Sequence, residues 1–235
     1  MLQLVNGVYI MSKPLYICFE GLDGAGKSTV YKRVMDILEQ QGYRVQGICP
    51  TQTTCYCESK VACQCHSLEK LFNRYPKLHQ YRFLRLFLYA YRSNYAAKHI
   101  DQSSDLILGD RSLITSYVCR WHHCNMYNRL LVFIVNRLEY KIPAPDYVIY
   151  LKVPQKVLHE RLVNRGNIDI DETEDRSRAM EFAYDILRTR KGIIKRIAHT
   201  KWCVINGDQS EENVCRDAIF QIVQLITNST RINMK

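Results

Sequence analysis

Long hydrophobic runs are missing from this sequence of 235 residues. No apolar stretch approaches the roughly 20 residues that a membrane-spanning helix needs, so we expect no membrane association. A signal peptide, with its charged start, apolar core and small-residue cleavage site, is not recognisable either. The 10 cysteines are therefore not expected to form the disulfide framework of a secreted protein, and we expect a reducing, cytoplasmic location.

Proline and glycine are scarce, with 6 and 10 residues, and no Pro/Gly-rich linker, internal repeat or low-complexity tract divides the chain. Because 47% of the residues are hydrophobic and 24% are charged, the chain can bury one sizeable core and is not wholly disordered. We predict a single compact domain at residues 14–228, with an N-terminal extension at 1–13 and a C-terminal tail at 229–235.

Acidic residues are fewer than basic ones: the chain has 23 Asp and Glu but 33 Lys and Arg, which gives a formal net charge of +10. This balance suits an anionic partner, either nucleic acid or phosphorylated small molecules, and charge alone does not choose between them.

Short, nearly continuous apolar runs alternate with longer helical patterns. Such runs are typical of strands covered on both faces, and the alternation favours a parallel sheet with crossover helices. The predicted strands are residues 15–20, 43–48, 105–110, 146–151 and 202–206. The fold class that we predict is therefore α/β, with a five-stranded parallel sheet flanked by helices.

The segment "GLDGAGKS", from Gly21 to Ser28, fits the phosphate-binding P-loop pattern G-x-x-x-x-G-K-[ST]. An apolar strand precedes it and a helix follows, which favours a P-loop over a glycine-rich turn without function. In this pattern Lys27 reaches the β- and γ-phosphates and Ser28 offers its hydroxyl to Mg²⁺. The predicted ATP-binding residues are Gly21, Leu22, Asp23, Gly24, Ala25, Gly26, Lys27, Ser28 and Thr29.

Two further segments carry charge suited to phosphate chemistry. "LILGDRS" ends a strand pattern with Asp110, which can hold the magnesium shell or orient the attacking oxygen, and Arg111, which can clamp a phosphate. Residues 161–178 carry four arginines and are interrupted by Gly166, as expected for a small charged lid that closes over phosphates. Taken alone, a surface ion pair and a solvated helix pair are the alternative interpretations.

The sequence resembles the thymidylate kinases, a family within the nucleoside monophosphate kinases of the P-loop class. The resemblance spans roughly residues 14–227 and is carried by "FEGLDGAGKST", "LFLYAYRSN", "LILGDRS", "PAPDYVIYLKVP" with "ERLVNRG", and "INGDQSEENV". It implies transfer of the γ-phosphate of ATP to dTMP, with Mg²⁺, to give dTDP and ADP. Because family members are commonly dimeric, it also suggests a homodimer.

The resemblance assigns an acceptor site. Asp23 falls where family members contact the acceptor sugar, and Arg92 and Arg111 fall at positions used for the acceptor nucleotide and its phosphate. Two positions depart from the family: Gln52 or Thr51 lies where an arginine grips the acceptor phosphate, and Leu88 lies where a phenylalanine often stacks on thymine. Base choice is therefore less firmly predicted than reaction type.

The resemblance also bears on transition-state charge. Some family members carry an arginine at the position of Gly24, so here the lid is expected to supply that charge, from Arg165 first and Arg161 second. The predicted catalytic residues are Lys27, Asp110, Arg111, Arg165 and Arg161, and the predicted magnesium ligands are Ser28 and Asp110.

A cysteine-rich loop at residues 49–66 contains two C-x-C pairs, formed by Cys55, Cys57, Cys63 and Cys65. These thiols could bind zinc, but structural zinc sites usually show C-x₂₋₄-C spacing, so a loop of free thiols is the preferred interpretation.

Three other functions remain open at this point. A deoxynucleoside kinase also has a P-loop and an acidic-Arg-Ser motif, and a kinase for another nucleoside monophosphate would share nearly every feature. A nucleotide-dependent nucleic-acid-binding protein would use the positive charge, but basic residues concentrate around the lid and the segment after it rather than in an aromatic-interleaved strip.

Overall fold

The computed structural model describes residues 2–5, 8–11, 13–48, 74–75, 84, 87, 90–91, 93–94, 97–98, 100–120, 128–165, 170–190 and 192–232. The strands are β1 (Leu2–Val5), β2 (Val8–Met11), β3 (Leu15–Glu20), β4 (Val45–Ile48), β5 (Leu106–Asp110), β6 (Tyr147–Lys152) and β7 (Lys201–Asn206). The helices are α1 (Lys27–Gln40), α2 (Leu113–Arg120), α3 (Asn128–Glu139), α4 (Gln155–Asn164), α5 (Ile170–Thr189) and α6 (Glu211–Ile232), with a 3₁₀ turn at Lys195–Ile197. The described residues at 84, 87, 90–91, 93–94 and 97–98 are helical as well.

The predicted parallel sheet is confirmed, with the strand order β4-β5-β3-β6-β7. Every neighbouring pair in it is parallel, and β3 lies at its centre between β5 and β6. Phe19 pairs with Asp110, so β3 and β5 end beside each other. The loops that follow these two strands therefore meet at one edge of the sheet, which is where ligands of open α/β folds bind.

The central strand is buried on both faces, which explains its unbroken apolar sequence. All six residues of β3 are buried. Ile17 and Phe19 point into the larger hydrophobic core, whereas Tyr16 and Cys18 belong to a smaller cluster. Because side chains alternate along a strand, the two clusters lie on opposite faces of the sheet.

The helices cover the sheet and brace one another. Helix α1 contacts β3, β4 and β5 and packs against α6, which also contacts β7. The apolar stripe of α6 is buried at Val214, Ala218 and Ile222. Helix α5 contacts both α2 and α4, so it spans the segments that follow β5 and β6.

Some boundaries differ from the sequence prediction. The strand expected at 43–48 begins at Val45 because the Tyr43 N–H donates to the Leu38 carbonyl and the Arg44 N–H donates to Asp105. The N-terminal extension contains an antiparallel pair, in which Leu2 lies opposite Met11. At the other end, α6 continues to residue 232, beyond the predicted domain end at 228.

Along the part of the chain that the structure describes, no helix combines the length and the apolar character needed to cross a bilayer.

Candidate active site

The segment from Gly21 to Ser28 connects β3 to α1, as the P-loop pattern predicts. Two of its glycines are required by geometry. Gly21 has φ 150° and a Cβ there would lie 2.8 Å from the Leu151 carbonyl oxygen; Gly24 has φ 85° and its Cβ would lie 3.3 Å from the Leu158 carbonyl oxygen. Any larger side chain would strain the loop at both positions.

Lys27 opens α1 but points back into the loop. Its side chain is only 5% exposed, its Nζ donates to the Leu22 carbonyl at 2.7 Å, and the same Nζ lies 4.0 Å from Asp23 Oδ1. Burial, and next the positive charge of Arg111, lower the pKa of Lys27 to about 8. The ammonium group therefore lies in a site where a further negative charge would stabilise it.

Ser28 and Asp110 form the hydroxyl–carboxylate pair expected of a magnesium site. The Ser28 hydroxyl donates to Asp110 Oδ2 at 2.6 Å. Asp110 is buried at the end of β5, next to Phe19 of β3. Hard oxygen donors of these types suit Mg²⁺, so the residues present fit the predicted ion.

Arg111 adopts a left-handed backbone conformation, with φ 75°. Such a conformation costs a non-glycine residue about 1–3 kcal/mol and is kept where the surroundings enforce it. The Arg111 N–H donates to the Phe19 carbonyl at 3.0 Å, and its guanidinium donates to Asp23 Oδ1. The strained residue thus joins the end of β5 to the P-loop.

Asp23 is held ionised by its neighbours. The charge of Arg111 is the largest cause that lowers its pKa, which falls to about 2, and Lys27 and Arg176 act in the same direction. The side chain is still 59% exposed, so it can meet a ligand. At neutral pH this carboxylate is an anion and a very weak base.

Arg176 is a residue that the sequence did not single out. It belongs to the predicted lid segment, but the structure places its charge close enough to Asp23 to lower the pKa of that carboxyl. On α5 it precedes the buried residues Met180 and Ala183 by four and seven positions, which puts it on the same helix face.

Glu20 was also missed. This carboxylate ends β3 directly before the P-loop and is fully buried. It accepts hydrogen bonds from Ser112, Thr115 and Tyr184. The one sequence signal is a charged residue at the end of an otherwise apolar strand, "LYICFE".

The two lid arginines predicted as catalytic occupy different places. Arg161 donates to the carbonyl oxygens of Gly24, at 3.5 Å, and Gly207, at 3.1 Å. It therefore bridges the P-loop and the loop that follows β7. Arg165 follows the end of α4, its N–H donates to the Leu162 carbonyl, and its side chain is exposed.

The remaining predicted residues divide into two groups. In the P-loop, Leu22 and Ala25 are buried, whereas Thr29 is exposed on the first turn of α1. The acceptor residues Gln52, Leu88 and Arg92, and the cysteines Cys55, Cys57, Cys63 and Cys65, lie outside the described residues.

A buried parallel strand, a glycine loop whose lysine faces inward, and a serine–aspartate pair at the sheet edge define a P-loop protein of the nucleotide-binding α/β class. The model of one family within this class, described as thymidylate kinase, matches residues 19–218. The chain therefore belongs to the thymidylate kinase family.

Individual relatives agree over nearly their whole length. The chain is 27% identical over 217 residues to a thymidylate kinase of Desulfotalea psychrophila, an alignment that covers 89% of this chain and 95% of the relative. It is 28% identical to the thymidylate kinases of Vibrio parahaemolyticus, with 88% and 94% covered, and of Haemophilus ducreyi, with 89% and 92% covered.

Proposed function

We propose that this protein transfers the γ-phosphoryl group of ATP to dTMP and releases ADP and dTDP. Membership of the thymidylate kinase family supports this proposal. The observation that carries it is the contact between the P-loop and the turn after β5: Ser28 donates to Asp110, and Arg111 donates to Asp23. These contacts support a donor site and an acceptor site that share one edge of the sheet.

On the donor side, we assign the triphosphate of ATP to the loop from Gly21 to Ser28. Lys27 exchanges its hydrogen bond to the Leu22 carbonyl for phosphate oxygens. The bound phosphates stabilise the charged form of this ammonium group, whose pKa is lowered to about 8 by burial. Ser28 and Asp110 would hold Mg²⁺, which when bound neutralises charge on the β- and γ-phosphate oxygens.

On the acceptor side, the described carboxylates already hold hydrogen-bond donors, which makes them poor bases for a hydroxyl acceptor. A nucleoside hydroxyl must lose a proton when it attacks, so it needs a nearby base. At this site the described carboxylates are already engaged: Asp23 pairs with Arg111, Asp110 receives the Ser28 hydroxyl, and Glu20 receives several donors. A nucleoside monophosphate has a second pKa of about 6, so its phosphate is largely ionised at neutral pH and needs no base.

The transferring group needs positive charge on its equatorial oxygens. Arg111 supplies part of it from the acceptor side, where it is held on Asp23. Position 24 is a glycine and supplies no charge; it has φ 85°, and a Cβ there would lie 3.3 Å from the Leu158 carbonyl oxygen. We therefore assign the remaining charge to the lid, to Arg165 first, with Arg161 as the second choice.

The cellular location that fits this function is the cytoplasm, where nucleotides and reduced thiols occur together. Among the cysteines that the structure describes, Cys18, Cys119, Cys203 and Cys215 are free thiols, which is compatible with such a compartment.

The test is a panel of acceptors offered with ATP, with released ADP as the readout. The panel contains dTMP, dUMP, dCMP, dAMP, dGMP and thymidine, and Lys27→Met serves as the inactive control. We expect the highest kcat/KM with dTMP and no turnover by the control.

Equal or better turnover of thymidine would identify a deoxynucleoside kinase instead. Higher turnover of another monophosphate would keep the reaction but change the base, an outcome that the Leu88 and Gln52 departures make worth testing. Tight DNA binding without turnover of any acceptor would contradict the proposal altogether.

A further inference from the structure

Glu20 is a fully buried carboxylate that accepts four hydrogen bonds from three residues. Its Oε1 accepts the Ser112 N–H at 2.9 Å and the Ser112 hydroxyl at 2.7 Å. Its Oε2 accepts the hydroxyl of Thr115 at 2.6 Å and that of Tyr184 at 2.8 Å. Because these donors converge on one buried carboxyl group, the set fixes the positions of all three partner residues.

The first consequence concerns the strained residue Arg111. Its own N–H is bound by the Phe19 carbonyl, at 3.0 Å, and the next N–H along the chain, that of Ser112, is bound by Glu20. The left-handed peptide segment is thus held on both sides by adjacent residues at the end of β3. The same Ser112 hydroxyl accepts the Ile114 N–H at 3.1 Å and so caps the start of α2.

The second consequence concerns helix α5. Tyr184 is completely buried on this helix, where its ring packs against Tyr150 with the ring centres 5.0 Å apart. The Tyr184 hydroxyl donates to Glu20 Oε2 and also lies 3.5 Å from the Gly21 carbonyl oxygen. Two turns earlier the helix carries Arg176, whose charge acts on Asp23.

We propose that Glu20 is a positioning residue of the transfer reaction. It holds Arg111 in the left-handed conformation that aims its guanidinium at Asp23, and through Tyr184 it fixes the arginine-bearing helix α5 relative to the P-loop. Glu20 thereby sets both the position of Arg111 beside Asp23 and the position of helix α5. This inference rests on the proposed function, because it concerns the acceptor and lid of that reaction.

A purely structural role for Glu20 predicts something different. Loss of a buried hydrogen-bond acceptor would then lower the stability and leave the kinetics of each folded molecule unchanged. A positioning role predicts altered kinetics in folded protein, since a misplacement of about 1 Å at a reacting group can cost about 100-fold in rate.

The experiment compares three variants of the full chain: Glu20→Gln, Tyr184→Phe and, as a matched control, Tyr150→Phe. Each is assayed with ATP and dTMP well below its own Tm, and dTMP binding is measured separately by calorimetry. Glu20→Gln keeps the side-chain shape but loses the charge and the Oε2 acceptor. We expect its kcat/KM for dTMP to fall by about 10- to 100-fold while its KM for ATP stays within about twofold.

Tyr184→Phe removes a single donor and keeps the aromatic packing. We expect it to lower kcat by about 10-fold, whereas Tyr150→Phe, which changes the neighbouring ring in the same cluster, keeps wild-type kinetics. A folded Glu20→Gln protein with unchanged kcat/KM for dTMP would overturn the inference. Should Glu20→Gln not fold, Tyr184→Phe decides: a lowered Tm with unchanged kcat would overturn it.

The proposed function and the positioning role of Glu20 can be tested separately. If wild-type protein turns over no acceptor at all, the proposed function fails, and the conformation of Arg111 in a crystal structure of Tyr184→Phe or Glu20→Gln then tests the inference. We expect Arg111 to leave the left-handed region or to lose its contact with Asp23. Retention of both features in the variant would contradict the positioning role.

Discussion

The ammonium group of Lys27 gives the site a pH dependence that can be worked out. Burial is the main reason that its pKa is lowered to about 8. A bound triphosphate favours the charged form, so ATP binding is linked to protonation of this lysine. Below pH 8 the group is already charged and ATP affinity should be flat. Above pH 8 the affinity should fall by about tenfold per pH unit.

Isothermal titration calorimetry of a non-hydrolysable ATP analogue between pH 6.5 and 9.5 measures this dependence. The matched control is Lys27→Arg, because a guanidinium stays charged over that range. The variant should bind more weakly but lose the decline above pH 8. An unchanged decline in Lys27→Arg would show that another group is responsible.

At the residue scale, the sequence predicts site residues that are adjacent along the chain and misses contacts between residues that are far apart in it. The P-loop residues from Gly21 to Ser28 are consecutive, so their spacing alone defines the motif. Glu20 stands next to them, but its partner Tyr184 lies 164 positions away along the chain. No spacing rule connects residues so far apart, and only the packing of α5 against the rest of the site reveals them.

Two arginines that the sequence places in one lid have different surroundings at the end of helix α4. Arg161 binds the carbonyls of Gly24 and Gly207, whereas Arg165 is exposed after the last turn of the helix. We therefore expect Arg165→Ala to lower kcat, by about 10³-fold if it acts as arginine fingers do, with little change in either KM. Arg161→Ala should mainly raise the KM for ATP, since it loosens the two loops beside the donor.

Steady-state kinetics with both substrates varied separates these effects. If Arg165→Ala only raised the KM for dTMP, its assignment to the transition state would be wrong.

Helices α2 and α3 are joined by a buried ion pair away from the reacting groups. Arg120 donates to Glu139 at 2.7 Å, and the two side chains are 5% and 0% exposed. Removing one partner leaves an uncompensated buried charge, so Arg120→Met should lower the free energy of unfolding by about 3–5 kcal/mol. Urea unfolding followed by circular dichroism measures this loss.

The surface pair of Arg44 and Asp105, at 2.7 Å, is the matched control. Arg44→Met should have a much smaller effect because solvent screens that pair. Equal losses in the two variants would mean that burial does not govern the strength of the inner pair.

At the element scale, every strand of the central sheet was predicted to within two residues. The boundary at Val45 shifted because Arg44 binds Asp105 from outside the sheet, a contact between residues 61 positions apart. The packing partners of each helix are not predictable from the sequence. The apolar stripe of α6 predicts a buried face, but not that this helix packs against β7 and α1.

For the whole molecule, the net charge of +10 left nucleic acid and small phosphorylated partners equally open. The arrangement of the site favours the second, because positive groups converge on the P-loop around Asp23. The homodimer suggested by the resemblance stays a prediction, as does the role of the cysteine-rich loop at residues 49–66.

The central claim is that Lys27 grips the donor's phosphates while Arg111 grips the acceptor's, on opposite sides of one transferring group. A crystal structure with adenosine and thymidine joined through a chain of five phosphates tests it most directly. The account predicts that the phosphate chain runs from Lys27 to Arg111 and passes Asp23, with the adenosine beside Arg161. A chain bound elsewhere, with Lys27 still donating to the Leu22 carbonyl, would contradict it.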